Sequence, residues 1–376
     1  MVNSYQEKAQ ARLADYGSLA KDYYDKNENL VNAFFFVAGF VFDILTLGRI
    51  DDFFNLLSQI LYLAGAYAVM MTTHLPLSPK LPSWFAKVME FRDELFHFFI
   101  GGLLSMFTVL YFQSSSPTHS LFFLLFVAAV LILNEVPFFQ NLGMTFKSIL
   151  MKISSASFLI IFIPILLNTN SKVTFYVAIL LSLGLTFGFG RLMVSRLNFE
   201  QAVVKTQFLI PRYLVLAFFV LFYWTNVMPP LPLSITDMGI YYSVEKHDSE
   251  YHMTSLKPWW KIWHGSNEDF QYRDGDKVYL FVKAFSPGDF QENVYIEWSR
   301  FDPVEDDWKR SDRVPLSVVG GREDGYRAFA FKQNYQPGKW RIMVKTEDDL
   351  ILGKMGFELS RDPGAEARDF QTIVDA

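Results

Sequence analysis

The sequence predicts an α-helical polytopic membrane bundle of about seven transmembrane helices, followed by a C-terminal antiparallel β-sandwich-like domain. Three observations carry this reading. Long apolar runs fill the first 228 of 376 residues, the hydrophobic period drops to two beyond Pro229, and charge and tryptophan shift to the second part. Residues 1–228 hold 15 Lys/Arg and 13 Asp/Glu, whereas residues 229–376 hold 19 Lys/Arg and 26 Asp/Glu with six of the eight Trp. The second part is therefore acidic at net −7, and the first is nearly neutral. That balance argues against nucleic acid as a partner, because phosphate binding needs clustered cations. The chain has no cysteine, which excludes disulfides, thiolate metal sites and cysteine nucleophiles.

Residues 1–30 read as a polar cytoplasmic segment with Leu13, Tyr16, Leu19, Tyr23 and Tyr24 near helical spacing, an amphipathic cap on the first span. The first apolar run begins at Val31 after a charged stretch and lacks a small-residue cleavage site, so it reads as a retained helix. Crossing about 30 Å of hydrocarbon takes roughly 20 mostly apolar residues. Seven runs within 31–228 approach this: 31–48, 53–73, 95–113, 118–136, 149–168, 172–191 and 208–228. The fifth contains Pro164, which a membrane helix tolerates.

Orientation is set by Lys and Arg. With a cytoplasmic N-terminus, thirteen fall in inside segments, Lys147, Lys152 and Arg212 among them, and only Arg49 and Lys172 fall outside. An odd number of spans then places the C-terminal domain outside the lipid bilayer that the helices cross, which for the inner membrane of a Gram-negative bacterium is the periplasm.

Ionisable groups at membrane depth are costly, so each is a candidate site. Asp43 and Gln59 fall at similar depth near the outer face, close to Arg49 and Asp51. His97 and Glu135 fall at the cytoplasmic end, within reach of a His–Glu hydrogen bond. A proton relay or ion site is the functional reading; helix pairing near the headgroups is the plainer one. The middle of the bundle reads as nearly all Leu, Phe, Val and Ile, leaving a pair at each face and no path between them. Gly184, Gly188 and Gly190 signal close helix packing.

Beyond Met228-Pro229-Pro230-Leu231-Pro232, strands are predicted at 277–283, 293–298, 314–319, 326–333, 339–346 and 350–359, with a loose tail over 362–376. Turn residues separate them: Asp274-Gly275, Ser286-Pro287-Gly288, Asp324-Gly325 and Pro337-Gly338. Trp298 and Trp340 suit a sandwich core. Trp259, Trp260 and Trp263 suit either sugar stacking or the lipid headgroup level, and Trp308 is a further candidate for stacking on a ligand. The carboxylates Asp269, Asp274 and Asp276, and Glu347, Asp348 and Asp349, lack the spacing of a calcium loop and read as turn formers. No catalytic, metal or cofactor motif is present.

The stretch from Trp340 to Asp348 (Trp-Arg-Ile-Met-Val-Lys-Thr-Glu-Asp), with Leu352-Gly353 and Phe357 after it, resembles the end of a bacterial domain family of unknown function. Residues 42–51 and Asn134-Glu135 are similar to the helical block that precedes that domain. The resemblance implies an uncharacterised polytopic envelope protein with a periplasmic β domain, and no reaction or ligand. It also makes Asp43, Arg49 and Asp51 a polar cluster at the outer membrane face. Asp349 stands where the family's turn has glycine.

Three functions compete. The first is a non-catalytic anchor whose β module binds a protein partner or a cell-wall glycan. The others are a transporter or channel, and a membrane-embedded enzyme using His97 and Glu135.

Overall fold

The computed structural model describes residues 40–45, 52–72, 88–89, 91–114, 117–140, 142–197, 199–248, 250–256, 269–286, 291–319, 325–364 and 367–375. The chain divides into two units, Met1–Leu47 and Gly48–Ala376. In the first, residues 40–45 are helical and Asp43 is half-buried. Most of the predicted span 31–48 lies outside the described residues, as do Arg49 and Asp51.

In the second unit, apolar composition and end signals set the helices: α1 (Phe53–Thr72), α2 (Arg92–Gln113), α3 (Pro117–Glu135), α4 (Met144–Leu167), α5 (Lys172–Arg196) and α6 (Gln201–Trp224). Five of these are long and apolar enough to cross a membrane, and α3 offers a shorter apolar stretch, Ser120–Glu135. The described residues thus hold fewer than the seven predicted spans.

Asp52 caps α1, its carboxylate accepting the N–H groups of Phe54 and Asn55. Ser171 and Thr174 form a reciprocal capping box at the start of α5. In α6 a π-helical turn at Val204–Leu209 precedes Pro211, which has no N–H to donate and so disfavours the regular ladder there.

Helix α4 is the hub. It touches α1, α2, α5 and α6, and 15 of its 24 residues are buried. Around it the outer helices turn apolar surface outward: Phe98 is 61% exposed, Phe122 75%, Leu180 64% and Phe187 60%. An apolar mantle on that scale needs lipid or another apolar partner to cover it.

The glycine expectation holds in part. A Cβ on Gly190 would lie 2.8 Å from Leu209, but Gly184 and Gly188 face open space. Close approach falls instead between α1 and α2, where Gly65 lies against Phe99 and Gly102 against Tyr62.

Strands begin at Ser234: β1 (Ser234–Tyr241), β2 (Ser243–His247), β3 (Glu250–Ser255), β4 (Asp269–Tyr272), β5 (Val278–Phe285), β6 (Gln291–Asp302), β7 (Asp307–Val319), β8 (Tyr326–Lys332), β9 (Gly338–Thr346), β10 (Ile351–Arg361) and β11 (Gln371–Asp375). Sheet β1-β5-β8 and sheet β4-β10-β9-β6-β7 contribute to one core, Ile240, Leu280 and Val282 from the first meeting Ile296, Trp298, Trp340, Ile342 and Phe357 from the second. Alternation drives this: in β9 the inward Trp340, Ile342 and Val344 are all buried.

Three details correct the sequence reading. Strands β1 to β4 lie outside the predicted set. The pairing is mixed, because β4 runs parallel to β10. Residues 362–376 are not a loose tail throughout: β11 pairs with β3 in a third sheet, β11-β3-β2, and Asp375 meets Lys283 at 2.9 Å and Arg327 at 3.2 Å.

Candidate functional site

The bundle and the β part meet where α5 begins and α6 ends. The backbone N–H of Lys172 donates to Asp348 Oδ2 at 2.7 Å, and the Lys172 ammonium lies 3.3 Å from Oδ1. Asn170 Nδ2 donates to the Pro230 carbonyl at 3.1 Å. At the same end Trp224 Nε1 donates to the Tyr176 hydroxyl at 2.6 Å, tying α6 to α5.

Beside this junction opens a cleft of about 600 Å³, lined by Thr225, Asn226, Glu297, Arg310, Arg313, Lys345, Asp349 and Ile351. Its three cations outnumber its two carboxylates. Glu297 meets Lys345 at 3.0 Å and Arg310 at 4.0 Å, and Asp349 meets Arg313 at 3.3 Å. Arg313 also stacks over Tyr295 at 4.1 Å. The cleft thus presents pre-oriented charge with one positive in excess. Asp349 takes a left-handed conformation, φ 63°, which few residues other than glycine, asparagine and aspartate adopt.

The opposite end of the bundle carries a polar layer. Lys147 meets Asp93 at 2.6 Å. His97 Nδ1 lies 2.9 Å from Asn134 Oδ1, and Asn134 Nδ2 donates to Glu135 Oε1 at 2.9 Å. The predicted direct His97–Glu135 bond is therefore replaced by Asn134, which stands between them and also donates to the His97 carbonyl at 3.2 Å.

The larger correction concerns α4. Lys152, placed among loop charges by the sequence count, is 1% exposed and donates to the Ser182 carbonyl, Ser182 Oγ and Thr186 Oγ1 at 2.6, 2.6 and 2.7 Å. Arg212, also counted with the loops, is fully buried. Its Nε donates to Ser148 Oγ at 3.3 Å and its Nη1 to the Tyr67 hydroxyl at 3.4 Å. Ser154, Ser155 and Ser157 are buried on α4 as well, and the Tyr111 hydroxyl donates to Ser157 at 3.2 Å. The bundle interior is thus not uniformly apolar. The signal was present: Lys152 and Arg212 fall inside the apolar runs 149–168 and 208–228.

Of the other predicted site residues, Gln59 is buried in α1. Trp308 is half-buried, edge-on to Phe301 and covered by Arg341 at 4.5 Å, so it forms no open stacking platform. Trp259, Trp260 and Trp263 lie outside the described residues. The acidic turns are structural: Asp274 pairs with Arg361 and Asp276 with Arg368. Among the described residues no group of three or more metal-ligating side chains occurs.

Residues 291–359 match a family described as a protein of unknown function (DUF2914), covering β6 through most of β10. The match includes Trp340 to Gly353, the stretch that carries the resemblance seen in the sequence. No curated protein matches the chain. Solved structures similar to parts of it include an immunoglobulin-like protein from Pseudomonas aeruginosa (13% identity, 34% of this chain, 95% of that one, TM-score 0.20). A β-glucosidase from Listeria innocua shares 11% identity over 31% of this chain and 16% of that one, at a TM-score of 0.18. The Pseudomonas fluorescens alkylpurine DNA glycosylase AlkC, bound to DNA with an abasic site analog, shares 11% identity over 83% of this chain and 99% of that one, at 0.22. TM-scores this low carry no argument about this chain.

Proposed function

We propose that the chain is a multi-pass inner-membrane protein that presents a non-catalytic β-sandwich in the periplasm, with residues 31–228 as the membrane domain, residues 229–376 as the periplasmic one and residues 1–30 cytoplasmic. The observation that carries this reading is the junction cleft. It sits where α6 ends and the sandwich begins, and its charge comes from β6, β7, β9 and the turn before β10. Support for membrane embedding is the apolar mantle of α1, α2, α3 and α5 and the Trp224–Tyr176 pair at one end of the bundle, where aromatic residues favour the headgroup level.

The cleft favours a protein segment over a glycan. Sugar binding uses flat, open aromatics, whereas this lining holds no aromatic ring and five of its eight residues are charged. Its excess positive charge suits a partner segment bearing carboxylates, which fixes register and encounter rate. The test is site-specific photo-crosslinking in native membranes from positions 310 and 313. A crosslink to a defined envelope protein that is lost in the R310E/R313E variant supports the reading. Crosslinks to lipid alone, or a protein crosslink indifferent to charge reversal, would overturn it.

Transport is the second reading, favoured by one observation: the hub helix α4 buries Lys152 and three serines in the middle of its course. Flux in reconstituted vesicles that persists after removal of residues 229–376 would move the function to the bundle.

A further inference from the structure

Two cations are sealed inside the bundle, and their surroundings differ from those of every other buried cation nearby. Lys147, the neighbour on α4, has Asp93 at 2.6 Å. Lys152 and Arg212 have only neutral partners: carbonyl and hydroxyl oxygens, and ring faces. No carboxylate among the described residues lies within ion-pair distance of either. Ser148, which holds Arg212 Nε, precedes Lys152 by one helical turn, so the two cations border the same face of α4.

The Arg212 guanidinium is closed on its flat faces. The Phe208 ring lies 3.9 Å from its central carbon, with Tyr67 at 5.6 Å and Phe189 at 5.9 Å. What remains is the in-plane edge at Nη2, which is buried and has no hydrogen-bond partner. Guanidinium takes anions along that edge, through in-plane N–H groups. Lys152 directs its Nζ at three oxygens of Ser182 and Thr186, which leaves it no N–H for a further partner.

Water would satisfy the N–H groups of Nη2 but not the charge. A buried cation without a counter-charge is costly in a protein interior and more so in a membrane. We propose that the bundle binds a small monovalent anion of halide size, held by Arg212 Nη2 with Lys152 supplying a second positive charge. Both side chains are at most 1% exposed, which favours a small ion over a bulky phosphate ester or carboxylic acid. The site is independent of the junction cleft, with which it shares no residue.

The experiment uses the full chain purified in detergent in sodium gluconate. Chloride replaces gluconate at constant ionic strength while the thermal unfolding midpoint is monitored. A ligand that binds only the folded state raises the midpoint. The expected result is a rise that saturates with chloride and is reproduced by nitrate. Arg212→Gln is expected to abolish it. Because that variant also removes a buried hydrogen-bonding group, Lys152→Met is measured beside it and is expected to raise the half-saturating chloride about ten-fold or more. Ser148→Ala, which leaves both charges in place, is expected to keep a saturating response. A midpoint indifferent to chloride in the unaltered chain, or an unchanged chloride response in both Arg212→Gln and Lys152→Met, would overturn the assignment.

Discussion

Asp348 sits in the turn between β9 and β10 and yet serves α5: its carboxylate accepts the Lys172 N–H at 2.7 Å and meets the Lys172 ammonium at 3.3 Å. One acidic side chain thus satisfies an orphan donor at a helix start, complements the positive end of the helix dipole and joins the sandwich to the bundle. This links the two parts more directly than the Pro-rich connection between them.

Asp348→Ala should therefore cost about 1 kcal/mol, at the level of a helix cap, since the Lys172 side chain is 56% exposed and its ion pair adds little. Amide exchange at Lys172 to Thr174 should accelerate, and the turn over 346–350 should become more exchange-labile. Unchanged protection at both places would remove Asp348 from this role.

Asp349, the next residue, makes a second prediction. Its φ of 63° is tolerable for Asp and unfavourable for a β-branched side chain. Asp349→Gly relieves the backbone but gives up the Arg313 contact at 3.3 Å, so its net effect should stay within about 1 kcal/mol. Asp349→Val should destabilise by more than about 1 kcal/mol. Equal melting temperatures for the Gly and Val variants would show that the turn is not constrained.

These two positions also show what the sequence made legible. Period-two alternation placed β5, β6, β8, β9 and β10, because one face of each is buried in a common core. Strand β2 escaped because Val244 is its one buried residue, β3 because its buried Tyr251, Met253 and Ser255 sit in a largely polar run, and β4 because it is four residues long. Apolar length located the described helices. Charge counting failed at Lys152 and Arg212, since a Lys or Arg near a run's end reads as a loop charge whether it faces water or a buried Ser182. With these two and Lys147 removed, ten inside charges remain against two. The partner of His97 was off by one residue, Asn134 for Glu135, a difference of about 100° around a helix.

Acid should loosen the region around β4. The Gly364 N–H, with Arg368 and Arg273 as lesser contributors, holds the Asp362 carboxyl below the usual carboxylate range. A depressed folded-state value means that its stabilisation is present above the ordinary value near 3.8 and is lost as pH falls through the folded value. Asp237 acts oppositely: burial pushes its carboxyl up, so its contribution is lost as pH rises from 3.8 through the raised value. Protection of the Asp362 amide, whose N–H donates to the Tyr272 carbonyl, measured relative to its intrinsic exchange rate, should therefore fall below about pH 4, and Asp362→Asn should flatten that fall. A profile identical in the two proteins would count against this.

The last prediction concerns the α1–α2 contact. A Cβ on Gly102 would lie 2.6 Å from the Tyr62 ring, which is itself wedged between Phe98 and Phe99 at ring distances of 5.9 and 5.8 Å. Gly102→Ala should therefore destabilise by about 1–3 kcal/mol, the usual cost of overpacking, despite the better helix propensity of Ala. Tyr62→Ala alone opens a void and also destabilises. If the clash is the cause, the two substitutions together should cost less than the sum of each, with a coupling of about 1 kcal/mol or more. Strict additivity in detergent melts of the full chain would show that α1 and α2 do not approach through Gly102.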